Sequence, residues 1–193
     1  MASTVGHALA GLCLYALRSK KSFRDSVPPD IKSMAFFAVL ANLPDLDFLI
    51  GLVWYGKMNA IHGEIPHSLL FLILTSLAFA LLPFGPWLFW KRVILVFSLI
   101  GSHDLIDFFS SQNLGFHPAY GIHPFYPFSS ERIGAPVTLF YGIRHKNLDQ
   151  LLSLGNVWTV LYEMLIFIPL LLLIDRLKRK DRLDADALDR QSL

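Results

Sequence analysis

Five apolar stretches alternate with polar connections along the chain, at residues 2–17, 31–55, 65–84, 87–110 and 157–174. A membrane crossing needs about 20 mostly apolar residues, and each stretch lies near that length. The pattern predicts an all-α fold: a polytopic membrane helical bundle of about five membrane-embedded helices. The third stretch, with "SLLFLILTSLAFALL", and the fifth, with "EMLIFIPLLLLI", are the most purely apolar. Between the fourth and fifth runs a long connection, residues 111–156, rich in Gly, Pro, His and aromatics and without a clear period. Unstructured loops of that length are either functional or disordered, and the aromatic content argues against disorder. One integral membrane domain is expected over residues 1–180, followed by a polar, partly helical tail at 181–193.

Composition strengthens the membrane reading. Hydrophobic residues make up 54% of the 193 and charged residues only 17%, where an ordinary soluble domain is about a quarter charged. A net charge of +2 gives no electrostatic basis for nucleic acid as a partner. The bilayer itself is the expected partner. Cys13 is the single cysteine, which rules out an intramolecular disulfide and disfavours a thiolate metal site. The first apolar stretch has its basic residues after it rather than before it, so it reads as retained rather than as a cleaved leader.

The basic residues also set an expected orientation. Arg18, Lys20, Lys21, Arg24 and Lys32 flank the first connection, Lys91 and Arg92 the third, and Arg176, Lys178, Arg179, Lys180 and Arg182 the tail. Five crossings put all of these on one side, which the positive-inside rule makes cytoplasmic, C-terminus included. Arg132, Arg144 and Lys146 in the long loop run against the bias.

Read with that topology, the polar residues inside the apolar stretches share one depth. His7, Asp45, Asp47, His67, His103 and Asp107 all fall toward the outer side, and His62, His117, His123 and His145 lie in the outer connections. Ionised side chains in hydrocarbon are costly, and they persist where they face a polar cavity or a partner. No lysine lies near them to serve as counter-charge, so a metal cation is the expected partner. His103 and Asp107, four apart, share a helix face; the alternative is a buried His–Asp hydrogen bond. Asp45 and Asp47, two apart, diverge on a regular helix unless Pro44 breaks it, and one of them would otherwise only orient ligands. Pro66 fits the first turn of the third helix, next to His67. Asp104 is a helix-face neighbour of His103.

The segments "LPDLD", "HGEIPHSLLF", "GSHDLIDFF" and "HPFYPFSSERIG" resemble, in that order, motifs of the YdjM-like family of inner-membrane-associated metal-dependent hydrolases. The family shows an early histidine, LPDxD, HRGxTHS, and SHxxxD followed by WPFS. The likeness runs from about His7 to Gly134, and His7, Asp45, Asp47, His62, His67, His103 and Asp107 match position by position. Gly63 and Glu64 stand where the family has Arg-Gly, and Pro66 where it has Thr. A positive side chain is thus lost and a negative one gained beside the site. The resemblance implies a bacterial inner-membrane location and a metal-dependent hydrolase.

The resulting expectation is hydrolysis of an ester, a phosphoester of a membrane lipid foremost, at the outer face. One or two divalent ions, zinc first, would be held by His7, Asp45, Asp47, His67, His103 and Asp107. His62 or Glu64 would act as general acid or base. Ser129, Ser130 and Arg132 would contact an anionic head group, although an arginine there can equally be an interfacial snorkelling residue. The alternatives are a metal-stabilised membrane scaffold or binding protein, and an ion or solute transporter.

Overall fold

The structure, a computed structural model, describes residues 1–19, 30–57, 60–82, 88–145 and 148–191. The basic residues Lys20, Lys21, Arg24 and Lys146 of the orientation argument lie outside that set. The fold is helical, with 66% of residues in helix and 5% in strand. In chain order the helices are α1 (Thr4–Arg18), α2 (Ile31–Ala41), α3 (Asp47–Tyr55), α4 (Leu69–Leu81), α5 (Phe89–Phe108), the short α6 (Leu148–Leu151) and α7 (Leu154–Gln191).

The second apolar stretch is two helices rather than one continuous helix. Asn42 ends α2, and its side-chain amide donates to the Ala38 carbonyl at 2.8 Å. Pro44, which lacks an N–H and clashes with the preceding turn, opens a single 3₁₀ turn at Pro44–Leu46. The chain then leaves as α3, bent by 68° from α2. Gly56, at φ 66°, closes α3 in the left-handed region, where a Cβ would be strained.

Among the described residues only Leu154–Asp186, within α7, is a single helix long and apolar enough to cross a bilayer. The 13 residues of α4 reach about 20 Å at ~1.5 Å per residue, short of the ~30 Å hydrocarbon core. The tail after residue 180 continues α7 as far as Gln191.

Two apolar clusters hold the bundle together. One joins Ala10, Cys13 and Ala16 of α1 to Ile106 of α5 and to Phe167 and Ile174 of α7. The other joins Phe37, Leu40 and Ala41 of α2 to Leu72 of α4 and to Val96, Leu99 and Ile100 of α5. Small residues let α1 sit close between its neighbours, as in membrane helix pairs. A Cβ added at Gly11 would come within 2.6 Å of the Phe37 carbonyl oxygen.

Outside, the helices are apolar: Val53 and Trp54 of α3 are about three-quarters exposed, and Ile73, Ile94, Leu105 and Leu165 are exposed as well. Inside lie charged and polar groups. His7, Asp47, His67, His103, Asp107 and Glu163 are each at most 1% exposed. Soluble proteins have the opposite arrangement.

The long connection has main-chain structure that its sequence does not announce. Ser110–Ser111 (β1) pairs in parallel with Phe140–Tyr141 (β2). Antiparallel bridges join Gly115 to Thr138 and Ile122 to Ile133. These pairings fold the loop over the end of the bundle that holds the buried histidines.

Candidate metal centre

Three helix ends and the 3₁₀ break converge on one buried cluster. His7 comes from the first turn of α1, His67 from the 3₁₀ turn Ile65–His67 before α4, and His103 and Asp107 from the last turns of α5. The break after α2 brings in Asp45. Pro66 sits at the start of the Ile65–His67 turn, and Ser68 then caps α4 through the Phe71 N–H.

His103 is held by its back face. Its Nδ1 lies 3.0 Å from the Ala41 carbonyl. A carbonyl only accepts, so Nδ1 carries the proton, and in the neutral ring that binds a metal Nε2 presents a lone pair. That lone pair faces His67 Nε2 at 3.2 Å, Asp45 Oδ1 at 3.4 Å and Asp107 Oδ2 at 3.4 Å. His67 Nε2 lies 3.8 Å from both of those carboxylate oxygens. Asp107 is oriented by the Ala2 N–H, which donates to Oδ1 at 2.7 Å and leaves Oδ2 turned inward.

A second imidazole nitrogen and two carboxylate oxygens therefore gather around His103 Nε2. Asp45 Oδ1 and Asp107 Oδ2 are buried without a hydrogen-bond partner, an expensive state for a carboxylate oxygen. Four ligands at ~2.0–2.1 Å from a tetrahedral ion are about 3.4 Å apart. The separations from His67 and His103, 3.2–3.8 Å, match that spacing. The residues present thus fit a divalent cation.

His7 flanks the four. Its ring stacks on His103 at 3.6 Å between centroids, and its Nε2 lies 3.4 Å from Asp107 Oδ1. Among the described residues three groups have metal-binding geometry: Asp45, His67 and His103; His7, His103 and Asp107; and Asp47, His62 and His67. In the third, Asp47 Oδ1 is 2.8 Å from His62 Nδ1, while Asp47 Oδ2 accepts the Gly63 N–H at 3.1 Å. Both Asp47 oxygens are thereby engaged, and the His62 ring is fixed with its buried Nε2 lacking a partner. Gly63 has φ 82°, a conformation that suits glycine and aims its N–H at Asp47.

Beside His62 opens a cavity of about 610 Å³. Arg132 and Arg144 line it, together with Gln112, Tyr120 and His145. Arg132 Nε–H donates to His123 Nε2 at 3.1 Å, and His123 Nδ1–H donates to the Gly63 carbonyl at 2.5 Å. One hydrogen-bonded chain therefore links the cavity arginine to Asp47 and His62. Burial, then the neighbouring His62, holds His145 down at about 4, so this imidazole is neutral at ordinary pH.

Not every expected residue joins the cluster. Glu64 is in none of the three groups; its carboxylate accepts from the Tyr126 hydroxyl at 3.3 Å. Ser129 and Ser130 do not line the cavity: Ser129 Oγ accepts the Glu131 N–H at 3.2 Å, and Ser130 is exposed. Of the expected head-group contacts only Arg132 reaches it. His117 is exposed on the loop. Asp104 is buried beside the cluster, with Oδ1 unpartnered.

Sequence reading missed several supports. The Ala41 carbonyl and the Ala2 N–H could not be read from side-chain identity. Glu163, fully buried in α7, accepts from the Ser3 N–H at 2.8 Å and from the Ser3 hydroxyl. It ties the start of α1 in place, and Ser3 in turn caps that helix through Gly6 N–H at 2.9 Å. Its signal was present, since a lone carboxylate inside "YEMLIFIPLL" is as anomalous as Asp45.

A helical bundle with an apolar exterior and a buried His–Asp cluster able to hold a metal ion is the class that fold and site define. The chain belongs to the YdjM inner membrane protein family, whose model matches residues 1–181, and it is accordingly a membrane-associated protein. No curated protein and no solved structure matches the chain.

Proposed function

We propose that this protein is a membrane-embedded, metal-dependent hydrolase that cleaves a phosphoester of a lipid. The observation that carries the reading is the convergence on His103 Nε2 of His67 Nε2, Asp45 Oδ1 and Asp107 Oδ2, each within 3.4 Å of it. Two imidazoles and two carboxylates suit zinc. The flanking groups around His7 and around Asp47 leave room in the donor set for a second ion.

An ion held there supplies a Lewis acid for a phosphoryl oxygen and lowers the pKa of a water to about 7. The protein's own groups do the rest. His62, which lines the cavity and whose Nε2 has no hydrogen-bond partner, takes the proton of the attacking water at that nitrogen. Asp47 holds His62 in the tautomer that can accept it and stabilises the imidazolium that forms. As the water oxygen bonds to phosphorus, the ester P–O bond breaks, and the departing alcohol oxygen takes a proton from His62. Arg132 offers charge-assisted hydrogen bonds to the phosphoryl oxygens. Glu64, engaged by Tyr126, is left out of this step.

About five membrane-embedded segments are proposed, with α2 and α3 as one broken segment. Arg18 and Lys91 border a common cleft at the bundle end opposite the cluster, and Lys178 donates to the Ser19 carbonyl at that same end. The positive-inside rule then makes that end cytoplasmic, with the C-terminus, and turns the centre toward the outside.

The test is phosphate release from phosphatidate in mixed micelles by the purified protein. Stripping with a chelator is expected to abolish release, and added zinc to restore it. Release unaffected by the chelator would overturn the metal-dependent reading. No release from any lipid phosphoester by zinc-loaded protein would favour the scaffold.

A further inference from the structure

We infer that the site binds one whole amphiphile, an anionic lipid whose phosphate lies in the arginine-lined cavity and whose acyl chain lies in a separate apolar cleft beside α3. The cleft, about 380 Å³, is lined by Leu46, Leu49, Phe48 and Leu151, and it reaches Asp45. It shares Met1, Ile143 and His145 with the 610 Å³ cavity. The two spaces thus meet along one wall. The cavity touches the cluster through His62, and the cleft touches it through Asp45. A molecule occupying both would lay the junction of its head and its chain across the buried cluster.

The chemistry of each space specifies its half of the ligand. Arg132 and Arg144 are exposed at the cavity, and among the described residues no carboxylate pairs with either guanidinium. Each is held by a built support. Arg132 rests on His123. Arg144 Nε–H donates to Gln112 Oε1 at 3.2 Å. The Arg144 backbone is clamped by the buried Asn156, which accepts its N–H and donates to its carbonyl, both at 2.8 Å. Two guanidinium groups held in this way, with no carboxylate partner among the described residues, suit a phosphate bearing more than one negative charge.

The cleft, by contrast, offers mostly apolar side chains. It opens beside Leu46, at the end of the 3₁₀ turn, and Leu49 of α3, which are 46% and 59% exposed, a surface that suits hydrocarbon. An acyl chain can therefore enter sideways between α3 and the side chains of Ile143, His145 and Leu151. A free phosphate or a soluble phosphoester would fill the cavity and leave the cleft unused.

The claim that the cleaved bond lies between the two spaces rests on the hydrolase reading, whereas the binding claim does not. Binding is accordingly the readout: displacement of a fluorescent long-chain phosphatidate from the detergent-solubilised protein, with metal content measured in parallel. Arg144→Gln is expected to weaken long-chain phosphatidate about tenfold or more while metal content is unchanged. Leu49→Trp, which narrows the cleft from an exposed position, is expected to weaken long-chain phosphatidate but not dibutyryl phosphatidate. Diacylglycerol, lacking the phosphate, is expected to compete at least tenfold less well.

Equal loss of short- and long-chain ligand in Leu49→Trp would overturn the chain subsite. Inorganic phosphate competing as well as long-chain phosphatidate would identify a free-phosphate site instead. Unchanged affinity in both Arg144→Gln and Arg132→Gln would overturn the head subsite. Should these binding differences hold in a protein that releases no phosphate, the lipid site stands and the hydrolase reading alone falls.

Discussion

His103→Ala is expected to empty the metal centre, lowering bound zinc from about one ion per chain to a trace and weakening affinity at least 100-fold. Losing even a partner that orients a ligand costs about 10–100-fold in affinity, and His103 is at the centre of the donor set. It is the residue whose Nε2 lies within 3.4 Å of three other donors. The substitution also frees the Ala41 carbonyl and removes the ring that stacks on His7, so folding must be checked alongside. Asp45→Asn is the gentler companion. It keeps the shape of a partly exposed side chain and removes one charge, and it too is expected to lose most of the zinc. Metal retained at full occupancy in both variants would place the ion elsewhere.

His62→Ala is expected to lower phosphate release by about 10²–10⁴-fold, the usual worth of a positioned general base, with zinc retained. Asp47→Asn should fall in the same range, because an amide can donate to Nδ1 and so move the imidazole proton to Nε2, where the base must accept. The two losses should not add, since each residue acts through the other. Zinc content separates this dyad from a second ligand group: if His62→Ala and Asp47→Asn each lose an ion, they belong to the metal set. The measurement is single-turnover phosphate release with metal analysis of the same samples.

Much of the site was legible because membrane burial makes polar residues conspicuous. His7, Asp45, His67, His103 and Asp107 stood out by depth alone, and the structure brings them within a few ångströms of one another. Pro44 announced the break that separates the roles of Asp45 and Asp47: one points with free oxygen at His67 and His103, and the other is engaged by His62 and Gly63. Hydropathy could not convey the size of that break, so residues 31–55 read as one apolar stretch, where the structure has two helices at 68°. Periodicity also failed in the long connection, where main-chain pairs such as Ile122 with Ile133 supply the order. Glu64 reads as available because it is a carboxylate beside His62; its hydrogen bond to Tyr126, 62 residues away, has no local sign in the sequence. Long-range contacts of that kind, like Asn156 on Arg144, carry no local pattern.

The central claim is that the four converging atoms hold one ion. X-ray absorption at the zinc edge of the purified, zinc-loaded protein tests it most directly. The account predicts an inner shell of nitrogen and oxygen only, at about 2.0–2.1 Å, with the outer-shell scattering of two imidazoles, falling to one imidazole or to no bound zinc in His103→Ala. A sulfur neighbour from Cys13, a shell without imidazole, or a spectrum unchanged in His103→Ala would contradict it.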